Sequence, residues 1–159
     1  MYTARMINVA SWKMAASATI HCLTGCAIGE IAGMVIGTWL GWSNINTTIL
    51  AVTLAFLSGY SLSTLPLVRN GMGFISSLKL VFAADTLSIA VMEIVDNLAM
   101  WAIPGAMNAH FDSWLFWASL STSLVIAFIA AWPVNYLLIR RGKGHAITHG
   151  HMHNDHGHH

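Results

Sequence analysis

The sequence has 159 residues, of which 7 are Lys or Arg and 6 are Asp or Glu. Charged residues make up 8 % and apolar types 56 %, whereas a typical soluble domain has ~25 % charged residues. So few charges cannot cover a water-facing surface, which excludes a soluble domain. The 7 Trp, 6 Phe and 3 Tyr argue against a disordered chain. With a net charge of +1, the chain lacks the basic surface of a nucleic-acid binder. The composition predicts a small integral membrane protein.

Four long apolar segments follow one another along the chain. They cover residues 16–42, 45–68, 74–103 and 114–139. Each exceeds the ~20 residues that a helix needs to cross ~30 Å of hydrocarbon. They are separated or ended by Ser43-Asn44, by Pro66 with Arg69-Asn70-Gly71, by Pro104-Gly105 and by Arg140-Arg141-Gly142. Because short connections favour antiparallel neighbours, the predicted fold is an all-α, four-helix up-down transmembrane bundle over residues 1–143.

The basic residues predict the orientation of these spans. With four spans, all seven lie on one side of the membrane: Arg5, Lys13, Arg69, Lys79, Arg140, Arg141 and Lys143. The positive-inside rule makes that side cytoplasmic, so we expect a multi-pass protein of the cell membrane with both termini inside. The predicted aromatic belts are Trp12, Trp132 and Tyr136 inside, and Trp39, Trp42, Trp101, Trp114 and Trp117 outside.

The first span carries chemistry as well as apolar residues. Cys22, Cys26 and Glu30 recur every fourth residue and share one helix face, and His21 precedes the first thiol. Two buried cysteines alone would be small hydrophobes. Thiolate, imidazole and carboxylate together, however, are ligands for zinc and copper(I), and a mid-membrane carboxyl points to function. A disulfide between the two cysteines suits helical i,i+4 geometry poorly.

A ladder of glycines runs one residue behind this polar face. It comprises Gly25, Gly29, Gly33, Gly37 and Gly41. Small residues at every fourth position allow another helix to approach closely, so we predict a helix-packing role for the ladder.

The third span has an acidic and methionine-containing face. Its members fall within about 100° of arc at 100° per residue: Asp85, Met92, Glu93, Asp96 and Met100. Three acids cannot face lipid, so this face is predicted to look into the bundle and to meet Cys26 and Glu30. Two interpretations remain, a cation or proton route, and interhelical hydrogen bonding to serines of the second or fourth span.

Two further segments offer weaker metal candidates. One loop contains Met107, His110 and Asp112. The predicted tail, residues 144–159, alternates histidine with small and polar residues, at positions His145, His149, His151, His153, His156, His158 and His159. It has too few apolar residues to fold, so it is expected to be a disordered cytoplasmic segment that binds divalent ions loosely or simply solubilises the chain.

The stretch His21-Cys22-x-x-x-Cys26-x-x-x-Glu30, with its glycine ladder, resembles a family of small four-span prokaryotic membrane proteins of unknown function that commonly end in His-rich tails. The resemblance implies a four-helix membrane fold. It also implies that His21, Cys22, Cys26, Glu30 and the third-span acids are a shared polar set.

The sequence leads to two functional hypotheses. The first is a membrane protein that binds or transports a transition metal, copper in preference to zinc, through His21, Cys22, Cys26, Glu30, Asp85, Glu93 and Asp96. The second is a non-catalytic accessory subunit of a multi-subunit membrane enzyme complex, with or without a metal centre, and a thiol redox protein is a weaker third. No nucleotide-binding loop or catalytic triad is present in the sequence, so no enzymatic activity and no nucleotide or nucleic-acid partner is expected. The expected partners are the bilayer and other membrane subunits or further copies of the chain.

Overall fold

Four long helices make up most of the structure. The computed structural model describes the backbone of residues 2–141 and the side chains of residues 12–141. The helices are α1 (Tyr2–Trp39), α2 (Asn44–Arg69), α3 (Phe74–Ala102) and α4 (Trp114–Arg140), with a short 3₁₀ turn at Ala106–Asn108. The prediction of an all-helical fold with four long helices is confirmed. The predicted His-rich tail lies outside the described residues.

The end of α1 differs from the predicted boundary. The helix stops at Trp39, three residues before the predicted end of the span. Gly41 adopts the left-handed conformation with φ of +67°, and the backbone bonds around it form a Schellman motif that terminates the helix. Ser43 begins the next helix, because its Oγ accepts a hydrogen bond from the backbone N–H of Asn46 at 3.4 Å.

The helices form a four-membered ring in chain order. Each helix packs against the helices before and after it, and α4 closes the ring against α1. The connections α1–α2 and α2–α3 are short, at residues 40–43 and 70–73, so neighbouring helices run antiparallel. α1 and α3 are therefore parallel, and they meet across the interior of the bundle.

The glycine face of α1 packs against the backbone of α2. A Cβ atom added to Gly25, Gly29, Gly33 or Gly37 would lie between 2.3 and 2.8 Å from an atom of α2. The absence of side chains at these four positions thus permits the close approach of the two helices. The fifth member of the predicted ladder, Gly41, has nothing within 4 Å of an added Cβ, because it lies beyond the helix. Its role is to terminate α1, and the predicted packing role for Gly41 is wrong.

Polar side chains connect the helices inside the bundle. Asn135 Nδ2 donates to Thr19 Oγ1 at 2.8 Å, which links α4 to α1. Ser58 Oγ donates to the Gly25 carbonyl at 2.6 Å, which links α2 to α1. At the end where α1 begins, Trp12 stacks on Tyr136, with ring centroids 4.1 Å apart. Hydrogen bonds therefore reinforce packing on two sides of α1.

Acidic side chains lie inside the bundle, and many large apolar side chains lie on its outer surface. Glu30, Glu93 and Asp96 are buried, whereas Ile94 and Leu98, on the opposite side of α3, are 60 % and 59 % exposed. Within the described residues, three helical segments are long and apolar enough to cross a membrane: Trp12–Trp39, Asn44–Arg69 and Trp114–Arg140. These features are consistent with a membrane protein.

Candidate functional site

Thiols and carboxyls meet where α1 faces α3. The Cys26 side chain lies close to Cys22 on its own helix and to Glu93 of α3. One turn further along α1, Glu30 lies close to Glu93 and Asp96. We call Cys22, Cys26, Glu30, Glu93 and Asp96 the interior cluster. Both cysteines are free and buried, so the thiols are available as ligands within the bundle.

The carboxyls of the interior cluster are incompletely satisfied. Glu30, Glu93 and Asp96 are only 4–5 % exposed, and among the described residues each has one buried carboxyl oxygen with no hydrogen-bond partner: Glu30 Oε2, Glu93 Oε2 and Asp96 Oδ1. Two carboxyl groups can hydrogen-bond to each other only through a proton. Burial of a carboxyl oxygen without a donor is costly. A group that brings a proton or a positive charge would satisfy these oxygens.

Asp85 lies apart from the interior cluster. It contacts Ser63 of α2 and is close to His21. It precedes Asp96 by eleven residues, which is ~17 Å along a helix, so it cannot reach Glu30. The sequence-based prediction that all three α3 acids face Cys26 and Glu30 therefore holds for Glu93 and Asp96 but not for Asp85.

His21 is also separated from the thiols. Its ring is exposed, and its Nε2 lies 3.0 Å from the Leu62 carbonyl oxygen of α2. Adjacent helical residues point about 100° apart. The His21 ring, which is turned toward α2, therefore lies on a different face of α1 from Cys22 and Cys26. In the part of the chain that the structure describes, no group of three or more His, Cys, Asp or Glu side chains is arranged to hold a metal ion.

A cavity of about 310 Å³ extends from the interior cluster to one end of the bundle. Glu30 and Asp96 line it, as do residues of the connection after α1 and of the longer connection between α3 and α4. The first residue of α2 is joined to the 3₁₀ turn of the longer connection by a hydrogen bond of 2.9 Å from Asn44 Nδ2 to Asn108 Oδ1. The cavity therefore links the two carboxyls to the end of the bundle opposite the start of α1.

Several of the residues predicted as weaker metal ligands lie at this cavity. Met100, Met107 and His110 line it. Asp112, in the same connection, is exposed and is not among the lining residues. Met92 instead lies in the apolar core beside Cys22 and Cys26.

Met34, which is not among the site residues predicted from the sequence, also lines the cavity. The signal was present, because the four-residue spacing of Cys22, Cys26 and Glu30 continues to Met34 and then to Thr38. Asn97 was not predicted either; it follows Asp96 directly and lines the same cavity.

The fold and this interior define a class of protein: a bundle of four helices with an apolar exterior and a core of carboxyls and thiols. Residues 11–144 match the family described as "Domain of unknown function (DUF4396)", and the chain belongs to that family. The prediction that it belongs to an uncharacterised family is thereby confirmed. No curated protein and no solved structure matches the chain.

Proposed function

We propose that this protein is a four-span protein of the cell membrane that binds a transition-metal ion, copper in preference to zinc, and passes it through the interior of its bundle. The observation that carries the proposal is the interior cluster between α1 and α3, where Cys26 lies beside Glu93 and Glu30 beside Asp96, and which opens into the cavity. Toward the start of α1, His21 and Asp85 lie close to each other but apart from this cluster. From Cys22 to Thr38 of α1, the cluster and the cavity together cover ~24 Å of helix axis, most of a hydrocarbon layer.

The side-chain distribution supports α3 as a fourth span. Its acids point inward, and its outward positions include Phe82, Leu87, Ile94 and Leu98, each more than half exposed. A helix of 29 residues with this arrangement can face lipid on one side and the bundle on the other.

The chemistry of the interior cluster favours a soft or borderline metal. Thiolates bind copper(I) and zinc, and Met92 beside the two cysteines favours copper because thioethers are soft donors. A cation that reaches Glu30 and Asp96 can replace the shared proton, which then leaves through the cavity. Transport by this route is passive or coupled to protons.

The decisive measurement is the metal content of a chain truncated after Lys143, which lacks the His-rich tail. After incubation with copper(I) in detergent, we expect about one bound ion per chain. Replacing Cys22 and Cys26 together by Ser should abolish this binding, since a hydroxyl is a poor donor for copper(I). Ser61→Ala is the matched control, because the Ser61 hydroxyl bonds only to its own helix, at the Leu57 carbonyl.

A truncated chain without metal, together with a double Ser variant that behaves like its parent, would overturn the proposal. The accessory-subunit hypothesis would then be favoured. It predicts that the tagged full-length chain co-purifies with a larger membrane complex in stoichiometric amount.

A further inference from the structure

Methionines are concentrated around the cavity. The structure describes the side chains of six of the nine methionines, and three of the six line the cavity. Met34 comes from α1, Met100 from α3, and Met107 from the 3₁₀ turn. His110 adds an imidazole from the same connection. Three methionines and one histidine, contributed by α1, α3 and the connection after α3, thus line one cavity.

We infer that this cavity is a second binding site, selective for a soft monovalent cation such as copper(I), and that it admits the ion to the Glu30–Asp96 pair. The site is distinct from the thiols of the interior cluster. The inference deepens the proposed function and rests on it for the onward path of the ion. Binding in the cavity itself does not depend on the cysteines.

The base of the cavity provides the independent evidence for a cationic ligand. Glu30 and Asp96 are more than nine-tenths buried, they line the cavity, and each has a carboxyl oxygen without a partner. A positive ion within the cavity would stabilise these oxygens, because the attraction between charges is strong where water is scarce.

The order of the donors along the helices supports a path rather than a single site. Met34 and Met100 each lie four residues, or one helical turn, beyond Glu30 and Asp96. An ion that enters from the cavity end therefore meets neutral thioethers first and carboxyls second. Thioethers have no proton to release, and they bind copper(I) and silver(I) but not the hard cations Mg²⁺ and Ca²⁺. The thioethers would therefore select the ion before the acids receive it.

The test uses the full-length chain in detergent with ¹³C-labelled methionine methyl groups and silver(I) as a diamagnetic probe. Single Met→Leu variants assign the methyl signals of Met34, Met100 and Met107. We expect silver(I) to shift these three signals together. The signal of Met72, in the connection between α2 and α3 at the opposite end of the bundle, is the internal control and should not move. Met152 reports separately on silver bound by the tail.

Two variants separate this inference from the proposed function. The triple variant Met34→Leu, Met100→Leu, Met107→Leu should lose about one bound silver ion per chain, while Met72→Leu loses none. The variant Cys22→Ser, Cys26→Ser should keep the three methyl shifts, because the cavity does not contain the thiols. Silver that shifts only Met152, or shifts that vanish in the double Ser variant, would overturn the inference. Failure of the Cys-dependent copper site with the methyl shifts preserved would instead overturn the proposed function alone.

Discussion

The hydrogen bonding of the acids in the interior cluster differs from that of polar residues that only join helices. Polar side chains between membrane helices commonly act as hydrogen-bonding pairs that are fully satisfied, as Asn135 and Thr19 are here. Glu30 and Asp96 differ, because each has a buried oxygen without a partner among the described residues. The hydroxyls of Thr64, Ser88 and Ser119 are also buried without a partner, but a carboxyl costs far more to bury than a hydroxyl. The incomplete satisfaction of the carboxyls therefore favours a ligand-binding role over a structural one.

A double-mutant cycle on Glu30 and Asp96 tests this interpretation. Glu30→Met alone removes a partner of Asp96 and should lower the free energy of unfolding by about 1–3 kcal/mol. Adding Asp96→Leu removes both members of the pair, and the double variant should recover to at least the stability of the parent, because neither acid is then left without the other and Glu93 keeps Cys26 as a neighbour. The measurement is chemical unfolding in detergent.

Ile28→Met, on the exposed side of α1, controls for the introduced methionine. If the double variant instead loses stability by the sum of the two single changes, the acids are structural.

At the scale of elements, the contact of α1 with α2 fixes the position of the polar face. Glycines allow the two backbones to touch, and Ser58 bonds across the contact to the Gly25 carbonyl. The glycine ladder and the Cys22-Cys26-Glu30 ladder are one residue apart, or about 100° around the helix. Docking the glycine face on α2 therefore turns the thiols and Glu30 toward α3.

Gly29→Ala should disrupt this contact. Its Cβ would lie 2.3 Å from the Leu54 carbonyl oxygen and 2.4 Å from the Ala55 nitrogen, and backbone atoms cannot move aside as side chains can. We expect a loss of about 1–3 kcal/mol in the free energy of unfolding, the usual cost of overpacking.

Gly59→Ala is the matched control on the facing helix. Its added Cβ would meet the flexible end of Ile89 at 3.1 Å and the Cys26 Sγ at an ordinary contact distance of 3.7 Å, and none of the three nearest atoms is backbone. The free energy of unfolding should therefore change by no more than about 1 kcal/mol, a range that includes the gain in helix propensity. Equal destabilisation by the two variants in a thermal unfolding experiment would contradict close backbone packing at Gly29.

For the whole molecule, charge and aromatic residues divide the bundle into two ends. One end of the bundle is formed by the N-termini of α1 and α3 and the C-termini of α2 and α4. The described Lys and Arg side chains belong to this end: Lys13, Arg69, Lys79, Arg140 and Arg141. The cavity opens at the other end, where Trp39, Trp101 and Trp114 are 84 %, 78 % and 79 % exposed. Large exposed indoles at helix ends are typical of a membrane interface. In the orientation predicted from the basic residues, the cavity therefore opens toward the outside of the cell.

Topology reporters test this orientation directly. Fusions at Asn44 and Asn108 should report an external location, and fusions at Gly71 and after His159 a cytoplasmic one, since all seven basic residues then lie inside. A cytoplasmic signal at Asn108 would place the cavity on the inner side and reverse the proposed path. Opposite readings at the two termini would contradict an even number of spans.

The sequence alone determined the four helices and the inward direction of the acids, because helix length and the 3.6-residue period are local properties of the chain. The tertiary structure decided which side chains meet. Glu93 and Asp96 lie close to Glu30, whereas Asp85 lies near Ser63 and the His21 ring lies at the Leu62 carbonyl. These outcomes depend on the rotation and axial offset of packed helices, which spacing within one helix does not encode. The cavity with Met34 likewise depends on the path of two connections, and it exists only once four helices and both loops are assembled.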